Sequence, residues 1–252
     1  MHHLVMVQVD SREVWSSFGH LRSVTMCEPS LILDRLPLHT KNRARMNQYH
    51  EGQREMQDRF DTRRLADRLA EGASDAFGEE HAAFVEARDM FFIASTDADG
   101  SPDCSYKGGD PGFVRVVDES TIAFPVFDGN GQFRTLGNLR VNPRVGLLFV
   151  DLESGSRLRV NGDATFDFDD PLMESFQGAI CVVRVRARSI FANCRRYVHE
   201  FQKVSPSAFV PRGGGDPPVP DWKLHPWFEG TLPAGDPAHD PGRESAPAIP
   251  HF

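Results

Sequence analysis

What the chain lacks narrows its function before any motif is read. Its four cysteines, Cys27, Cys104, Cys181 and Cys194, lie far apart and none belongs to a C-x-x-C pair. The spacing supports neither a disulfide framework nor a zinc knuckle, and the thiols are expected to be reduced. Positive charge is in deficit, since 28 Lys and Arg against 36 Asp and Glu leave a formal net charge of -8. That balance argues against a sequence-independent nucleic-acid binder, which needs basic side chains to displace phosphate counterions, although it leaves room for a local basic pocket. No apolar run approaches the ~20 residues that span a bilayer. The first residues, MHHLVMVQVDSREVW, carry early charge, so neither signal peptide nor membrane anchor is expected and the cytoplasm is the expected location. The ten histidines never pair at metal-ligand spacing on a clear helix face, and no metal site is expected. A G-x-S-x-G elbow is absent, as is the phosphate loop G-x-x-x-x-G-K-[ST], because Lys107 precedes its glycines instead of following them.

What remains is a chain of 252 residues, 40% hydrophobic and 25% charged, long enough to bury a sizeable core. Its texture changes four times. Residues 1–40 mix short apolar pieces with Pro29 and Pro37 without a period, and form an irregular arm. Residues 41–89 form a helical segment: Met46, Tyr49, Gln53, Met56, Phe60, Leu65 and Leu69 recur at spacings near three and four, and a further helix spans 78–89 with acids at its start. Residues 90–201 have the period of sheet, and residues 202–252 form a Pro/Gly-rich tail.

Within 90–201, FFIASTD, the turn ADG and SPDCSYK predict a hairpin, as do FVRVVD and TIAFPVFD. Pro125 cannot donate to a ladder, so its strand is expected at an edge or a bulge. RVGLLFVD is apolar on both faces and reads as central, while RLRVNGDATFD alternates and AICVVRVRARSIFA sets Val182, Val183, Val185 and Ala187 among Arg184, Arg186 and Arg188. Six or seven mostly antiparallel strands in succession, with few helices between them, imply a mainly β, α+β domain closed or nearly closed into a barrel.

One segment interrupts that order. In DGNGQFRTLGNLRVNPR, residues 132–141 have helical spacing in Phe133, Leu136 and Leu139, and the helix stops where Pro143 pushes Asn142 out of helical geometry. A helix start with free N–H groups, Arg134 and Thr135 makes a candidate phosphate site; the alternative is a turn whose arginine faces solvent. The Gly-rich stretch SYKGGDPGFVRV, residues 105–116, is open to two readings, a bend between strands or a wall against which a flat cofactor lies.

The succession from MFFIASTDADG through SYKGGDPGFVRV, TIAFPVFDGNGQFRTLGNLRVNPR and LLFVD to SRLRVNGDATF resembles the pyridoxamine 5'-phosphate oxidase-like family of FMN-binding split β-barrel proteins. IFANCRRYVHEF resembles the C-terminal segment of one flavoprotein subgroup. The resemblance implies a homodimer with FMN at the subunit interface. It places Arg134 and Thr135 at the phosphate, Ser105, Tyr106, Lys107 and Gly108 along the flavin ring, Arg157 approaching from across the interface, and Asn138 as a weaker candidate that caps or packs. The family's oxidases carry a second basic residue where Thr135 stands, so the phosphate grip here is shared differently or is weaker. Their substrate clamp of tryptophan with arginine or histidine is not matched by Trp222, Lys223, His225 and Trp227, so the resemblance does not extend to vitamin B6 oxidation. The tail is expected to fold over the barrel through its tryptophans and to end in a mobile stretch.

The function implied is an FMN-dependent oxidoreductase acting on a small molecule, with NADH or NADPH as candidate electron donor and deazaflavin as an alternative cofactor; no catalytic side chain is assigned. The alternatives are a non-catalytic flavin or haem carrier or sensor on the same barrel, and a barrel that has become a dimeric interaction module. His199 is a candidate general acid or a helix-closing residue, and Cys194, beside Arg195 and Arg196, a candidate reactive thiol or a small buried residue.

Overall fold

A computed structural model of the chain describes residues 49–213 and 215–246. The readings of residues 1–40, of Met46 and of Cys27 lie outside them. Three helices, α1 (Glu51–Arg59), α2 (Arg63–Ala70) and α3 (Glu79–Glu86), precede seven strands: β1 (Met90–Thr96), β2 (Pro102–Gly108), β3 (Arg115–Asp118), β4 (Thr121–Val126), β5 (Arg144–Val150), β6 (Arg157–Asp167) and β7 (Cys181–Asn193). A fourth helix, α4 (Arg134–Val141), lies between β4 and β5.

The strands form one sheet in the order β2-β1-β5-β6-β7-β4-β3, every pair antiparallel. Alternation decides which side chains face inward. In β1, Phe91, Ile93 and Ser95 are buried while Phe92 and Ala94 face out. Phe91 of β1 meets Phe124 of β4 at 4.9 Å between ring centroids and Phe149 of β5 at 5.0 Å. β1 and β4 stand four places apart in the sheet, so the sheet curls until its two halves share one interior. The edges β2 and β3 do not pair with each other, which leaves a split rather than a closed barrel. The mainly β split-barrel architecture with N-terminal helices and a short helix between strands is thus the one anticipated.

Particular residues make the curl. Gly100 turns the β1–β2 hairpin at φ +85. At the β6–β7 register shift, a Cβ on Gly162 would stand 2.3 Å from the Arg186 carbonyl oxygen, so only glycine admits this bulge. The open edge of β3 is blunted by Glu86 of α3, which accepts from the Val116 N–H at 3.0 Å. On the outer face, Asp170 is 4% exposed and grips Arg184 of β7 through two hydrogen bonds of 2.6 and 2.9 Å, holding Phe176 over Ala123 and Val182 as a small second core.

Some expectations are corrected. β4 is not an edge strand, because it lies between β7 and β3; Pro125 is tolerated because β3 reaches only as far as Ala123, leaving its ladder side open locally. α4 begins at Arg134 rather than at 132, because Phe133 takes the left-handed conformation at φ 49. The helical stripe expected over this segment falls on α1 and α2, and its Met56, Leu65 and Leu69, with Phe60 just past α1, are exposed.

Candidate functional site

α4 starts without a cap. Phe133 makes no side-chain hydrogen bond to the first turn, so the leading N–H groups and the positive end of the helix dipole stay available to an anion. The rest of the helix is anchored, with Leu136 and Leu139 in the barrel core and Asn138 donating to the buried Ser95 hydroxyl of β1 at 3.0 Å. Asn142, extended before Pro143, donates to Thr96 at 2.7 Å and ends it. These contacts fix where Arg134 and Thr135 stand.

Opposite them runs edge strand β2, whose alternation places Asp103, Ser105 and Lys107 on the face toward α4. Thr135 is buried, and its hydroxyl lies 3.2 Å from Ser105 Oγ and 3.4 Å from the Lys107 ammonium. Arg134 donates through Nε to Asp103 Oδ1 at 3.0 Å, and Ser105 Oγ donates to Asp103 Oδ2 at 3.3 Å. Neither terminal nitrogen of Arg134 has a hydrogen-bond partner within the chain among the described residues. Burial lowers the Lys107 pKa below the usual lysine range, and Asp103 raises it in part. Two cations, two hydroxyls and a bare helix start therefore converge from segments thirty residues apart. That donor set suits a phosphate group.

Lys107 also lines a cleft of about 780 Å³. Its walls are Tyr106 to Gly109, the end of β4 and the chain just beyond it from Pro125 through Gly129, and the ends of β1 and β5 at Met90 and Val150. The roof is the segment after β7, including Phe201, Lys203, Phe209 and Arg212. Lys203 is paired with Asp89 and Arg212 with Asp110, so the roof is tied down by charge at both ends. Two further ionic groups of the cleft are paired as well, Arg88 with Asp151 and Asp128 with Lys223, whereas Lys107 and Glu153 lie outside these pairs.

The glycines of this wall have reasons within the protein. A Cβ on Gly109 would come within 2.4 Å of the Phe113 ring, and Gly112 adopts φ +88. Their N–H groups bond to Asp89 O at 2.9 Å and Glu86 O at 2.7 Å, pinning the bend to the end of α3. Gly108 faces the ring of Tyr106. For 109 and 112 the bend reading suffices.

A sequence model described as pyridoxamine 5'-phosphate oxidase matches residues 77–203, half of the chain. The protein belongs to the pyridoxamine 5'-phosphate oxidase family. The family match runs from just before α3 to the first part of the cleft roof, so every residue of the cradle lies inside it and the tail beyond 203 lies outside. Among solved structures the chain is similar to a putative pyridoxamine 5'-phosphate oxidase from Lactobacillus delbrueckii, at 21% identity, a TM-score of 0.39, 47% of this chain and 95% of that one. It is also similar to HutZ, the haem storage protein of Vibrio cholerae, at 20% identity, a TM-score of 0.32 and 43% and 87% of the two chains. A FAD-binding protein from Mesorhizobium loti is similar at 14% identity, a TM-score of 0.35 and 48% and 98%. No curated protein matches the chain.

In this family member the residues singled out from sequence divide into three groups. Ser105, Lys107, Arg134 and Thr135 come together. Asn138 stands one turn further along α4 and is engaged by Ser95. The others are elsewhere: Tyr106 faces the other side of β2, edge-on to Phe92 with ring centroids 5.9 Å apart, and Tyr106 and Gly108 line the cleft rather than the cradle. Arg157 begins β6, donates to the Cys194 carbonyl oxygen and leaves its buried Nε without a partner among the described residues.

Asp103 is the residue that reading from sequence passed over. Alternation alone would have put it on the face of Ser105 and Lys107, but nothing local announces that a carboxylate would meet Arg134 across thirty-one residues. The tail corrects another expectation. It is fastened to the barrel by the ion pairs of Lys203, Arg212 and Lys223, while Trp227 is 80% exposed and the half-buried Trp222 packs edge-on against Phe228 within the tail. The stretch up to Ala246 holds defined turns, with Arg243 paired to Asp216 and Val219 bonded to Glu244 and Ala246. His199 lies exposed on irregular chain, with no helix for it to close. Cys194 is exposed rather than buried, and the Arg196 N–H directed at its sulfur, with Arg157 nearby, holds the thiol below its usual range.

Proposed function

We propose that the protein binds FMN, with the phosphate at the start of α4 and the flavin ring in the adjoining cleft against Tyr106 to Gly109, and that it serves as a flavin-dependent oxidoreductase for a small molecule. One observation carries the reading: β2 and α4 bring Ser105, Lys107, Arg134 and Thr135 to one uncapped helix start beside a cleft of cofactor size. The residues fit the phosphate. Arg134 keeps both terminal nitrogens for it, and Lys107 delivers to the Thr135 hydroxyl the second positive charge that Thr135 itself lacks. FMN, when bound, supplies hydride or single-electron transfer at its N5. The chain's own part is to bind and orient: Lys107 adds positive charge where cradle and cleft meet, and the strapped segment around Phe201 and Phe209 limits water above the cleft.

Pairing of two copies belongs to this reading. Strand register aligns Tyr106, Phe92, Leu148, Arg159 and Phe191 into one row across the outer face of β2, β1, β5, β6 and β7. Four of these five are apolar or aromatic on a face that solvent alone would favour as polar, with Tyr106 61% and Phe92 37% exposed. A cytoplasmic setting and a reduced nicotinamide as electron source complete the proposal.

A non-catalytic flavin carrier is the second reading. It is favoured by the pairing of the cleft's acids and bases, which leaves Lys107 and Glu153 as the ionic lining groups outside those pairs. Titration of FMN with its fluorescence as readout tests the binding. Arg134→Ala is expected to weaken FMN about 100-fold, the scale of one or two charge-assisted hydrogen bonds, with an unchanged far-ultraviolet spectrum. Equal affinity in the variant would remove the phosphate assignment. Bleaching of the bound flavin by NADH or NADPH separates oxidoreductase from carrier.

A further inference from the structure

The cradle that gathers two cations also holds a carboxylate. Asp103 side-chain exposure is 17%, against 65% for Arg134, so the acid sits on the inner side of the pair. It accepts from both arms of the cradle, from Arg134 Nε at 3.0 Å and from Ser105 Oγ at 3.3 Å. A phosphate dianion arriving at the start of α4 would find donors already tied to a negative charge, and a cradle whose Arg134, Lys107 and Asp103 sum to a single positive charge.

We propose that Asp103 sets the strength of phosphate binding in this protein, orienting Arg134 while lowering the affinity of the cradle for a dianion so that the cofactor exchanges. The inference rests on the FMN reading given above. Asp103 acts in two opposed ways. Its bond to Nε fixes the plane of the guanidinium and leaves both terminal nitrogens for the ligand, which spares rotamer freedom that binding would otherwise remove. Its charge repels the dianion across roughly one side chain's distance, in a site screened only on its outer side. Repulsion between a carboxylate and a dianion at that range exceeds the rotamer freedom of one arginine, so the net effect is weaker binding.

The two actions can be separated chemically. Asp103→Asn keeps an oxygen for Arg134 Nε and loses the charge, while Asp103→Ala loses both. Wild type and both variants are titrated with FMN and with riboflavin, which shares the ring system and lacks the phosphate, and thermal unfolding is followed in each. The expected result is that Asp103→Asn binds FMN at least ~10-fold more tightly and retains it through gel filtration where the wild type releases it. Asp103→Ala is expected to gain less than Asp103→Asn, and riboflavin affinity is expected to stay the same in all three. An FMN affinity that is unchanged or weaker in Asp103→Asn overturns the inference and leaves the flavin reading standing. An equal gain for riboflavin also overturns it, since the effect would then be on the fold or the ring site. Failure of all three proteins to bind FMN overturns the flavin reading together with the inference.

Discussion

Lys223→Ala is expected to loosen the tail from the barrel, and the two acids around it predict by how much. The Lys223 side chain is 4% exposed, with Nζ 2.8 Å from both Asp128 and Asp236. Those partners differ sharply, Asp128 being 64% exposed and Asp236 7%. A pair with an exposed acid is worth about 0–1 kcal/mol. Removing the ammonium from the buried acid leaves a carboxylate supported by the Ala238 N–H at 3.0 Å alone, a loss of about 3–5 kcal/mol. Asp128→Ala should therefore cost under about 1 kcal/mol, far less than Lys223→Ala.

The loss should fall first on the tail, whose contacts with the barrel are few, rather than on the sheet. Hydrogen exchange read by mass spectrometry should show faster exchange across residues 219–246 in Lys223→Ala, with the strands little changed. The same anchor should respond to pH. Burial pushes the Asp236 carboxyl up, but its hydrogen bonds from Lys223 and the Ala238 N–H outweigh this and leave it below the usual range. Its contribution is then present above the ordinary carboxylate range and lost as pH falls through the depressed value, so acid should free the tail before it unfolds the barrel. Asp128→Ala proving as costly as Lys223→Ala, or unchanged tail exchange in Lys223→Ala, would refute this account of the anchor.

Two further outcomes check other parts of the molecule. If the outer row joins two copies, Phe92→Glu should convert a dimer into monomers in sedimentation velocity with the fold retained; a dimer that survives the charge would place the contact elsewhere. Alkylation by iodoacetamide near neutral pH should label Cys194 first among the described cysteines, since its thiol is held low by the Arg196 N–H, and should spare Cys181, whose burial pushes it up to about 11.

The residues themselves determined most of the local structure. Period-two alternation from 90 onward, the Asp-Gly turn at 99–100 and the stop at Asn142-Pro143 each act over a few residues, and the observed strands and α4 follow them closely. Order along the chain also carried the family, because a hairpin, a Gly-rich bend, an Arg-bearing helix and a buried strand in that succession constrain one another. The four residues gathered at the cradle belonged to the set proposed from sequence. What alternation could not tell was which faces would meet once the sheet curled. Asp103 reaches Arg134, and Lys107 reaches Thr135, only because edge strand β2 is brought against α4 by the packing of Leu136 and Leu139 into the core.

The same limit explains the readings that changed. Pro125 is acceptable inside the sheet because β3 happens to end at its level, a fact of strand length and register rather than of proline. The stripe on α1 and α2 is helical as its spacing predicts and is exposed, since periodicity shows that a face is apolar and says nothing about what covers it. The tail is expected to fold over the barrel through its tryptophans, yet it is Lys203, Arg212 and Lys223 that fasten it, to Asp89, Asp110 and Asp128. Short-range stereochemistry thus set the strands, the turns and the helix, whereas the cradle's opposed charges and the cleft's roof were decided by contacts between residues tens of positions apart, which only the curled sheet brings into reach.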